Sequence, residues 1–306
     1  MSTSNILEVR NLSVSFLMYG RGLEQKKMNV IHNLSIDVRE GEILAVVGSS
    51  GAGKSLLAHA ILGILPNNAQ IDGEMLYCGR KLTGEWQQKL RGKEITFVPQ
   101  SVEYLDPLMQ VGRQVIGVRG KKGKQEALFK KFGLADSAKK MYPFQLSGGM
   151  ARRVLLSTAV TGDAKLIIAD EPTPGLSKEI AQTAMGHFRS LADEGCSVML
   201  ITHDLDLALA YADRISVFYA GTAVETATAE DFRSGEEALR HPYTKALWRA
   251  MPQNGFHPTE GSQPYAGDIR EGCLFAPRCP KRTKDCEQSF SMRPLRGGEV
   301  NCIHAT

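Results

Sequence analysis

One octapeptide sets the architecture of this chain: Gly48-Ser49-Ser50-Gly51-Ala52-Gly53-Lys54-Ser55. Its two outer glycines, its lysine and its final serine fit the pattern G-x-x-x-x-G-K-[ST] at every fixed position. The run before it, Glu42 to Val47, is typical of a buried strand, and the run after it, Leu56 to Leu65, is typical of a helix. A strand, a glycine-rich loop and a helix in this order predict a phosphate-binding loop.

Each part of the octapeptide suits a nucleotide. The glycines let backbone N–H groups turn inward around the β-phosphate, and the helix N-terminus adds partial positive charge. Lys54 is placed to reach the β- and γ-phosphate oxygens, and the Ser55 hydroxyl is placed to ligate Mg²⁺. The residues that we expect to surround the phosphates are Gly48, Ser49, Ser50, Gly51, Ala52, Gly53, Lys54 and Ser55.

Two later strand ends carry polar side chains. The apolar run that starts at Leu166 ends in Asp170 and Glu171, and the run from Val198 to Thr202 is followed by His203. Asp170 is expected to hold Mg²⁺ through water, and Glu171 to polarise the water that attacks the γ-phosphate. Because functional side chains gather at strand ends in open α/β sheets, we expect His203 to contact the same phosphate.

In the order and spacing of its motifs, the chain resembles the nucleotide-binding subunits of ABC transporters over residues 1 to about 235. The resemblance places the Walker A motif at 48–55, the signature at Leu146-Ser147-Gly148-Gly149-Met150 and the Walker B motif at 166–170. It implies that the chain is an ATPase, with ATP and Mg²⁺ as its ligands. The catalytic set that it implies comprises the glutamate Glu171, the switch histidine His203 and the Q-loop glutamine Gln100, which would also approach Mg²⁺.

The same resemblance implies an α/β fold, in which a P-loop, RecA-like ABC ATPase core carries an antiparallel β subdomain, a helical subdomain and a cysteine-rich C-terminal extension. Alternation of apolar and polar residues in 6–40 and 70–80 predicts the antiparallel sheet. Helix formers in about 101–160 predict the helical subdomain, which ends in a helix from Ala151 to Val160. We expect the nucleotide-binding domain at 1–235 and the extension at 236–306.

The family's paired cassettes imply roles for several other residues. Phe16 is the best candidate to stack on adenine and Tyr19 the second, although either aromatic ring could instead pack in the core. Ser147, Gly148 and Gly149 are implied to close over the ATP of a second ATPase subunit. Met150 stands where the family usually has Gln, and Ser177 stands where an Asp contacts the opposing phosphate loop. These departures predict that the second subunit is a related but different chain.

Two segments resemble importers of oligopeptides, dipeptides and nickel. Residues 105–115 resemble the region that receives the coupling helices of two membrane permease subunits, and 241–247 with Met251-Pro252 match a C-terminal motif containing His-Pro-Tyr-Thr. The resemblance implies the ATPase subunit of an importer of di- or oligopeptides. Import of nickel or a metal chelate is the alternative. In either case the resemblance implies that a separate extracytoplasmic substrate-binding protein and the permease choose the cargo.

Composition agrees with a peripheral protein. Of the 306 residues, 42% are hydrophobic and 23% are charged, as is ordinary for globular proteins. The most apolar stretch, Leu56 to Leu65, is far shorter than the ~20 residues needed to cross a bilayer. Residues 1–5 lack the charged and apolar regions of a signal peptide. We therefore expect the chain on the cytoplasmic face of the cell membrane, held there by partners.

Nucleic-acid binding is not expected. The formal charge of +4 lies largely in lysine clusters at 121–124, 130–131 and 139–140, and no aromatic residues interleave with these lysines. The segment between phosphate loop and signature also lacks the sustained heptads of chromosome-organising ABC relatives. A non-transport ABC ATPase that remodels a cytosolic or nucleic-acid partner remains the alternative from another functional class.

Four of the six cysteines crowd into the tail: Cys273, Cys279, Cys286 and Cys302. Disulfides are uncommon in the cytosol, and the C-x₂₋₄-C pair usual in zinc sites is missing. Four thiolates suit a [4Fe–4S] cluster, Cys279-Pro280 resembles a ferredoxin loop, and nearby basic residues would offset cluster charge. Peptide-importer ATPases resembling this chain have a similar tail, and some hold such a cluster. Iron–sulfur is therefore the leading interpretation, with zinc and free or bridged thiols left open.

Overall fold

The computed structural model describes residues 4–19, 24–117, 122–160, 164–265 and 271–306, so Lys121 of the first lysine cluster lies outside them. The strands are β1 (Asn5–Tyr19), β2 (Gln25–Arg39), β3 (Ile43–Val47), β4 (Ala69–Tyr77), β5 (Arg80–Lys81), β6 (Ile95–Val98), β7 (Leu166–Asp170), β8 (Ser197–Thr202), β9 (Arg214–Tyr219), β10 (Thr222–Thr228), β11 (Arg293–Leu295) and β12 (Gly298–Val300).

The helices are α1 (Lys54–Leu62), α2 (Gly84–Leu90), α3 (Val111–Ile116), α4 (Lys122–Lys131), α5 (Gly148–Val160), α6 (Lys178–Asp193), α7 (Leu205–Tyr211), α8 (Ala229–Arg233) and α9 (Pro242–Arg249). Short 3₁₀ turns lie at Val102–Tyr104, Asp136–Lys140, Pro143–Gln145, Glu236–Ala238, Pro252–Asn254, Ala276–Arg278 and Lys284–Glu287. Within the described ranges, no helix is both long and apolar enough to cross a membrane.

The strands form two sheets. The larger sheet has the order β11-β12-β10-β9-β3-β8-β7-β6, with parallel pairing from β9 to β6 and antiparallel pairing from β9 to β11. The smaller sheet is antiparallel, with the order β2-β1-β4-β5. The structure thus confirms the antiparallel sheet predicted from the alternating residues.

The central strands are apolar because both of their faces are covered. Every residue of β3, β7, β8 and β9 is buried, as expected for parallel strands between two layers. Alternate residues face opposite cores: Ala45 lies in the core that contains helices α5 and α6, whereas Val46 lies in the core that contains α1 and the antiparallel sheet. This arrangement fixes the carboxyl ends of the strands at one edge, beside the phosphate loop.

Two predicted helices have different bounds in the structure. The first ends at Leu62 and not at Leu65, because Gly63 adopts a left-handed conformation (φ 64°) and its N–H bonds back to the last turn. The helix predicted from Ala151 begins at Gly148, because the Ser147 hydroxyl accepts a hydrogen bond from Met150 N at 3.3 Å and so caps an earlier first turn.

The residues after 235 are attached to the larger sheet by a buried ion pair. Arg240 and Glu225 are almost completely buried, with 3.2 Å between Arg240 Nη1 and Glu225 Oε1. Arg240 also pairs with Asp231 and donates to the carbonyl of Leu295. Helix α9 adds Tyr243 to the core, and Leu247 and Trp248 pack against that core as their helical spacing predicts.

We expect Arg240→Ala to lower the free energy of unfolding by about 3–5 kcal/mol, because it leaves Glu225 buried without its counter-ion. The matched control is Arg249→Ala, which removes an ion pair to Glu236 from an arginine that is half exposed. That variant should lose less than about 1 kcal/mol. Urea unfolding of the full chain measures both values, and equal losses in the two variants would contradict the structural role of Arg240.

Candidate functional site

Most of the residues predicted to bind this chain's own nucleotide line one cleft of about 570 Å³ at the edge of the larger sheet, whereas Gly48 and Ser49 do not line it. Part of the phosphate loop forms its floor, and the strand ends of β7 and β8 supply polar groups to its wall. The lining residues are Phe16, Val30, Ser50, Gly51, Ala52, Gly53, Lys54, Ser55, Leu56, Gln100, Asp170, Glu171 and His203. Residues that are far apart in the sequence therefore meet in one cleft.

The phosphate loop is held close to the sheet. A Cβ atom at Gly48 would lie 2.5 Å from the carbonyl oxygen of Phe218, so only glycine fits where the loop leaves β3. Lys54 Nζ donates to the carbonyls of Gly48, at 2.7 Å, and Ser49, at 3.0 Å. Burial lowers the pKa of Lys54, and the charges of Glu171 and Asp170 oppose that shift. The ammonium group therefore stands between the loop and the two carboxylates.

The acidic pair fits a magnesium site. Burial raises the pKa of Asp170, and a hydrogen bond with the Ser55 side chain opposes that shift. Asp170 Oδ1 and Glu171 Oε2 are buried and have no hydrogen-bond partner among the described residues. Mg²⁺ takes oxygen ligands and keeps several of its waters, so Ser55 and Asp170 offer a suitable donor set.

Glu171 is held in an uncommon conformation. Its φ is 47°, in the left-handed region, which costs a non-glycine residue on the order of 1–3 kcal/mol and often marks functional sites. The carboxylate oxygen Oε1 lies 2.8 Å from Nδ1 of His203. The glutamate is buried and the histidine is exposed, so His203 stands at the mouth of the cleft and orients the carboxylate.

Gln100 follows β6, and a residue that sequence reasoning missed holds its backbone. The guanidinium of Arg152 is buried and donates to the carbonyl oxygens of Pro99, Gln100 and Glu171. Burial lowers the pKa of Arg152, whereas the charges of Asp170 and Glu171 raise it. One signal was available: Arg152 is a charged residue on the side of α5 that is otherwise apolar and buried.

The signature lies elsewhere. Ser147 and Gly148 are exposed, and neither they nor Gly149 line the cleft of their own chain. Met150 is partly buried and packs against the small core of the helical region. The Ser147 hydroxyl and the first N–H groups of α5 therefore face outward. This orientation suits an anion that is presented by another molecule.

The remaining sequence candidates divide between cleft and surface. Phe16 lines the cleft and is partly buried, whereas Tyr19 is 71% exposed at the end of β1 and does not line the cleft. Ser177 caps helix α6, where its hydroxyl accepts a hydrogen bond from Ile180 N at 3.5 Å. Serine and aspartate are both good caps, so the departure at Ser177 leaves the start of this helix intact.

The four tail cysteines line one small cavity of about 10 Å³. The cysteines are Cys273, Cys279, Cys286 and Cys302. The other residues that line the cavity are His241, Pro242, Phe290, Ile303 and His304. The pKa of Cys302 is raised to about 11, chiefly by burial and in smaller part by the charges of the other three thiols. Within the described part of the chain, no group of three or more His, Cys, Asp or Glu is arranged to hold a single metal ion.

Comparison with known proteins agrees with this geometry. The ABC transporter family model matches residues 31–174, and the model of the oligopeptide/dipeptide transporter C-terminal region matches residues 224–286. A putative peptide import ATP-binding protein of Brucella abortus is 34% identical over an alignment of 324 positions, which covers 98% of this chain and 95% of the relative. The dipeptide transport ATP-binding protein of Bacillus subtilis is 34% identical over 322 residues, 97% and 94% of the two chains.

Solved structures show the same fold. The dimeric structure of a bacterial ABC transporter cassette has a TM-score of 0.64 at 24% identity, covering 73% of this chain and 98% of that chain. A nucleotide-free ATP-binding cassette from an ABC transporter has a TM-score of 0.60 at 20% identity, covering 82% and 98%. The predicted ABC ATPase fold is thereby confirmed for the cassette core.

We expect Glu171→Gln to reduce ATP hydrolysis by about 10²-fold or more, because the amide cannot take the proton of the attacking water. ATP binding should persist, since the phosphate loop is untouched. Phosphate release and filter binding of labelled ATP measure the two effects. The matched control is Glu85→Gln, an exposed glutamate in the first turn of α2, and it should change neither. Unimpaired turnover of Glu171→Gln would overturn the assignment of the base.

Proposed function

We propose that this chain, which belongs to the family of ABC transporter ATP-binding proteins, drives the import of di- or oligopeptides. Membership of the family follows from relatives that are 34% identical along nearly the whole chain. Because the chain is a member, its activity is ATP hydrolysis coupled to transport. The cargo is the proposed part. It is supported by relatives named for peptide import, dipeptide transport and oligopeptide transport.

One observation carries the choice of cargo: residues 224–286 match the oligopeptide/dipeptide C-terminal region. This region is not a loose appendage. Arg240 lies in the buried ion network, and Tyr243 of the motif packs in the main core with Tyr219 and Phe275. A feature shared with peptide transporters is therefore part of the same folded body as the ATP cleft.

In the proposed mechanism, the phosphates of ATP lie in the phosphate loop, with Lys54 moving from the loop carbonyls to the phosphate oxygens. Ser55, Asp170 and Gln100 would hold Mg²⁺, which supplies neutralisation of phosphate charge when bound. Glu171, oriented by His203, accepts the proton of the attacking water. Phe16 supports the adenine from the cleft wall.

The exposed signature supports a paired enzyme. Ser147, Gly148 and Gly149 would close over the ATP of a second ATPase subunit, whose own signature would complete this cleft. The departures at Met150 and Ser177 support a second subunit that is a related but different chain. We propose that the pair sits on the cytoplasmic face of the cell membrane, bound to two permease subunits that receive peptide from an extracytoplasmic binding protein. We do not expect this assembly to bind nucleic acid.

We infer, from the number and common location of the tail cysteines alone, that they would hold a [4Fe–4S] cluster as a further cofactor. Four thiols around one void match the ligand number of such a cluster, and the mutual repulsion of their thiolates would be relieved by bound iron. Cys273, Cys279, Cys286 and Cys302 would be the ligands. Zinc is the less favoured occupant, because the usual C-x₂₋₄-C pair is absent from these cysteines.

To test the cargo, the chain is co-purified with its permeases and second ATPase, reconstituted in nanodiscs and supplied with binding protein. We expect peptide-loaded binding protein to stimulate ATP hydrolysis by the wild-type assembly. The assembly that contains Glu171→Gln should show no stimulation. Stimulation only by binding protein loaded with a nickel chelate would reject the peptide assignment in favour of metal import. Isolation of the chain with RNA or a soluble partner, and without permeases, would reject transport.

To test the cluster, the full chain is purified anaerobically and assayed for iron, acid-labile sulfide and zinc. We expect about four iron and four sulfide per chain with broad visible absorption, as the ligand number implies. Cys286→Ser should lose the absorption, whereas Cys78→Ser, which changes an exposed cysteine of the antiparallel sheet region, should retain it. Colourless protein with stoichiometric zinc would refute the cluster.

A further inference from the structure

A segment of the C-terminal extension touches the phosphate loop. The Ser49 hydroxyl donates to Gln263 Oε1 at 2.7 Å, and Gln263 Nε2 donates to the carbonyl oxygen of Ser50 at 3.0 Å. The one glutamine side chain therefore bonds both residues at the tip of the loop. A second contact comes from α9: burial raises the pKa of Tyr243, and a side-chain hydrogen bond with Ser49 opposes that shift.

The atoms that Gln263 engages are not those that bind phosphate. A phosphate loop uses backbone N–H groups, whereas Gln263 engages a hydroxyl and a carbonyl and leaves the N–H groups free. The Ser50 carbonyl and the Gly51 N–H share one planar trans peptide, so they point in opposite directions. Fixing the carbonyl toward Gln263 therefore fixes the Gly51 N–H away from it.

The contact with Gln263 matters because the tip of the phosphate loop has little conformational restraint of its own. Gly51 has φ 78° and no side chain, and Ser49, Ser50 and Gly51 are all exposed. Glycine reaches many backbone conformations, so an unrestrained tip loses more conformational entropy when it closes on phosphate. A loop that is already oriented binds with less of that cost.

Gln263 is itself held in place. Arg278 donates to the carbonyl oxygens of Thr259, at 3.1 Å, and Glu260, at 2.8 Å, and to the hydroxyl of Tyr219 at 3.2 Å. Tyr219 is the buried last residue of β9, next to the strand that leads into the phosphate loop. The segment that carries Gln263 is thus tied to the sheet, and the glutamine can restrain the loop.

We propose that Gln263 is a positioning residue for ATP binding: it orients the Ser50–Gly51 peptide so that the loop accepts the phosphates without reorganising. The C-terminal extension thereby becomes an outer wall of the ATP site. The proposal uses the ATP site of this chain alone and does not depend on the cargo, on the second subunit or on the occupant of the cysteine cavity.

The test compares Gln263→Ala with wild type in the full chain, by titration with a fluorescent ATP analogue in Mg²⁺. We expect the Kd to rise about 3- to 10-fold, the loss that one or two partly exposed hydrogen bonds produce. In the assembly reconstituted with its second ATPase, the KM for ATP should rise in parallel while kcat at saturating ATP stays unchanged, since the catalytic groups are untouched. The midpoint of thermal unfolding without nucleotide serves as the check on folding.

A double-mutant cycle with Ser49→Ala makes the test specific. If the two side chains act through their mutual bond, Ser49→Ala weakens ATP binding less in the Gln263→Ala background than in wild type. The matched control is Gln253→Ala, which removes a 2.7 Å hydrogen bond to Asp206 in the same extension, away from the loop. The proposal fails if Gln263→Ala leaves the Kd unchanged or tightens it, if the two effects simply add, or if Gln253→Ala weakens binding equally.

Discussion

The guanidinium of Arg152 is the interaction on which the site depends. Its donors reach the carbonyl oxygens of Gln100 and Glu171, so two strand-end loops are bound to one group. Arg152 belongs to α5, the helix that starts at the signature. Because the group is rigid, planar and buried, a shift of α5 against the sheet must move both loops or break desolvated hydrogen bonds. The outward-facing signature and the inward-facing carboxylate are therefore parts of one mechanical unit.

Much of the cleft can be derived from the sequence, because its polar residues lie in short motifs at the ends of strands. Lys54 and Ser55 follow directly from the loop pattern, and Asp170, Glu171 and His203 follow from strands whose carboxyl ends must share an edge. Arg152 and Gln263 were not predictable in this way, because their partners lie far along the chain and, apart from the Ser49 hydroxyl, are backbone carbonyls that any residue supplies. The shared cavity of the four cysteines likewise depends on the folded tail, since their spacing alone left several occupants open.

The two departures from the family pattern have different local meanings. Ser177 retains the capping role that an aspartate would have, so the substitution leaves the fold of this chain intact. Met150 directs an apolar side chain into the helical core, where it has packing partners, and its backbone N–H still bonds the Ser147 hydroxyl. The fold of this chain thus accommodates both residues, and their effect on a second subunit forms part of the proposal.

The pairing of β10 with β12 also constrains how the molecule is made. Glu225 and Val300 are neighbours in the sheet although they are distant in the sequence. A ribosome needs on the order of seconds to synthesise the intervening residues, and during that time the edge of β10 is open to other strands. Arg240 donates hydrogen bonds to the carbonyl oxygens of Leu295 and Arg296, so its guanidinium also lacks these two acceptors until the hairpin has been synthesised. Until this hairpin docks, the nascent chain therefore exposes a strand edge of the kind that promotes aggregation.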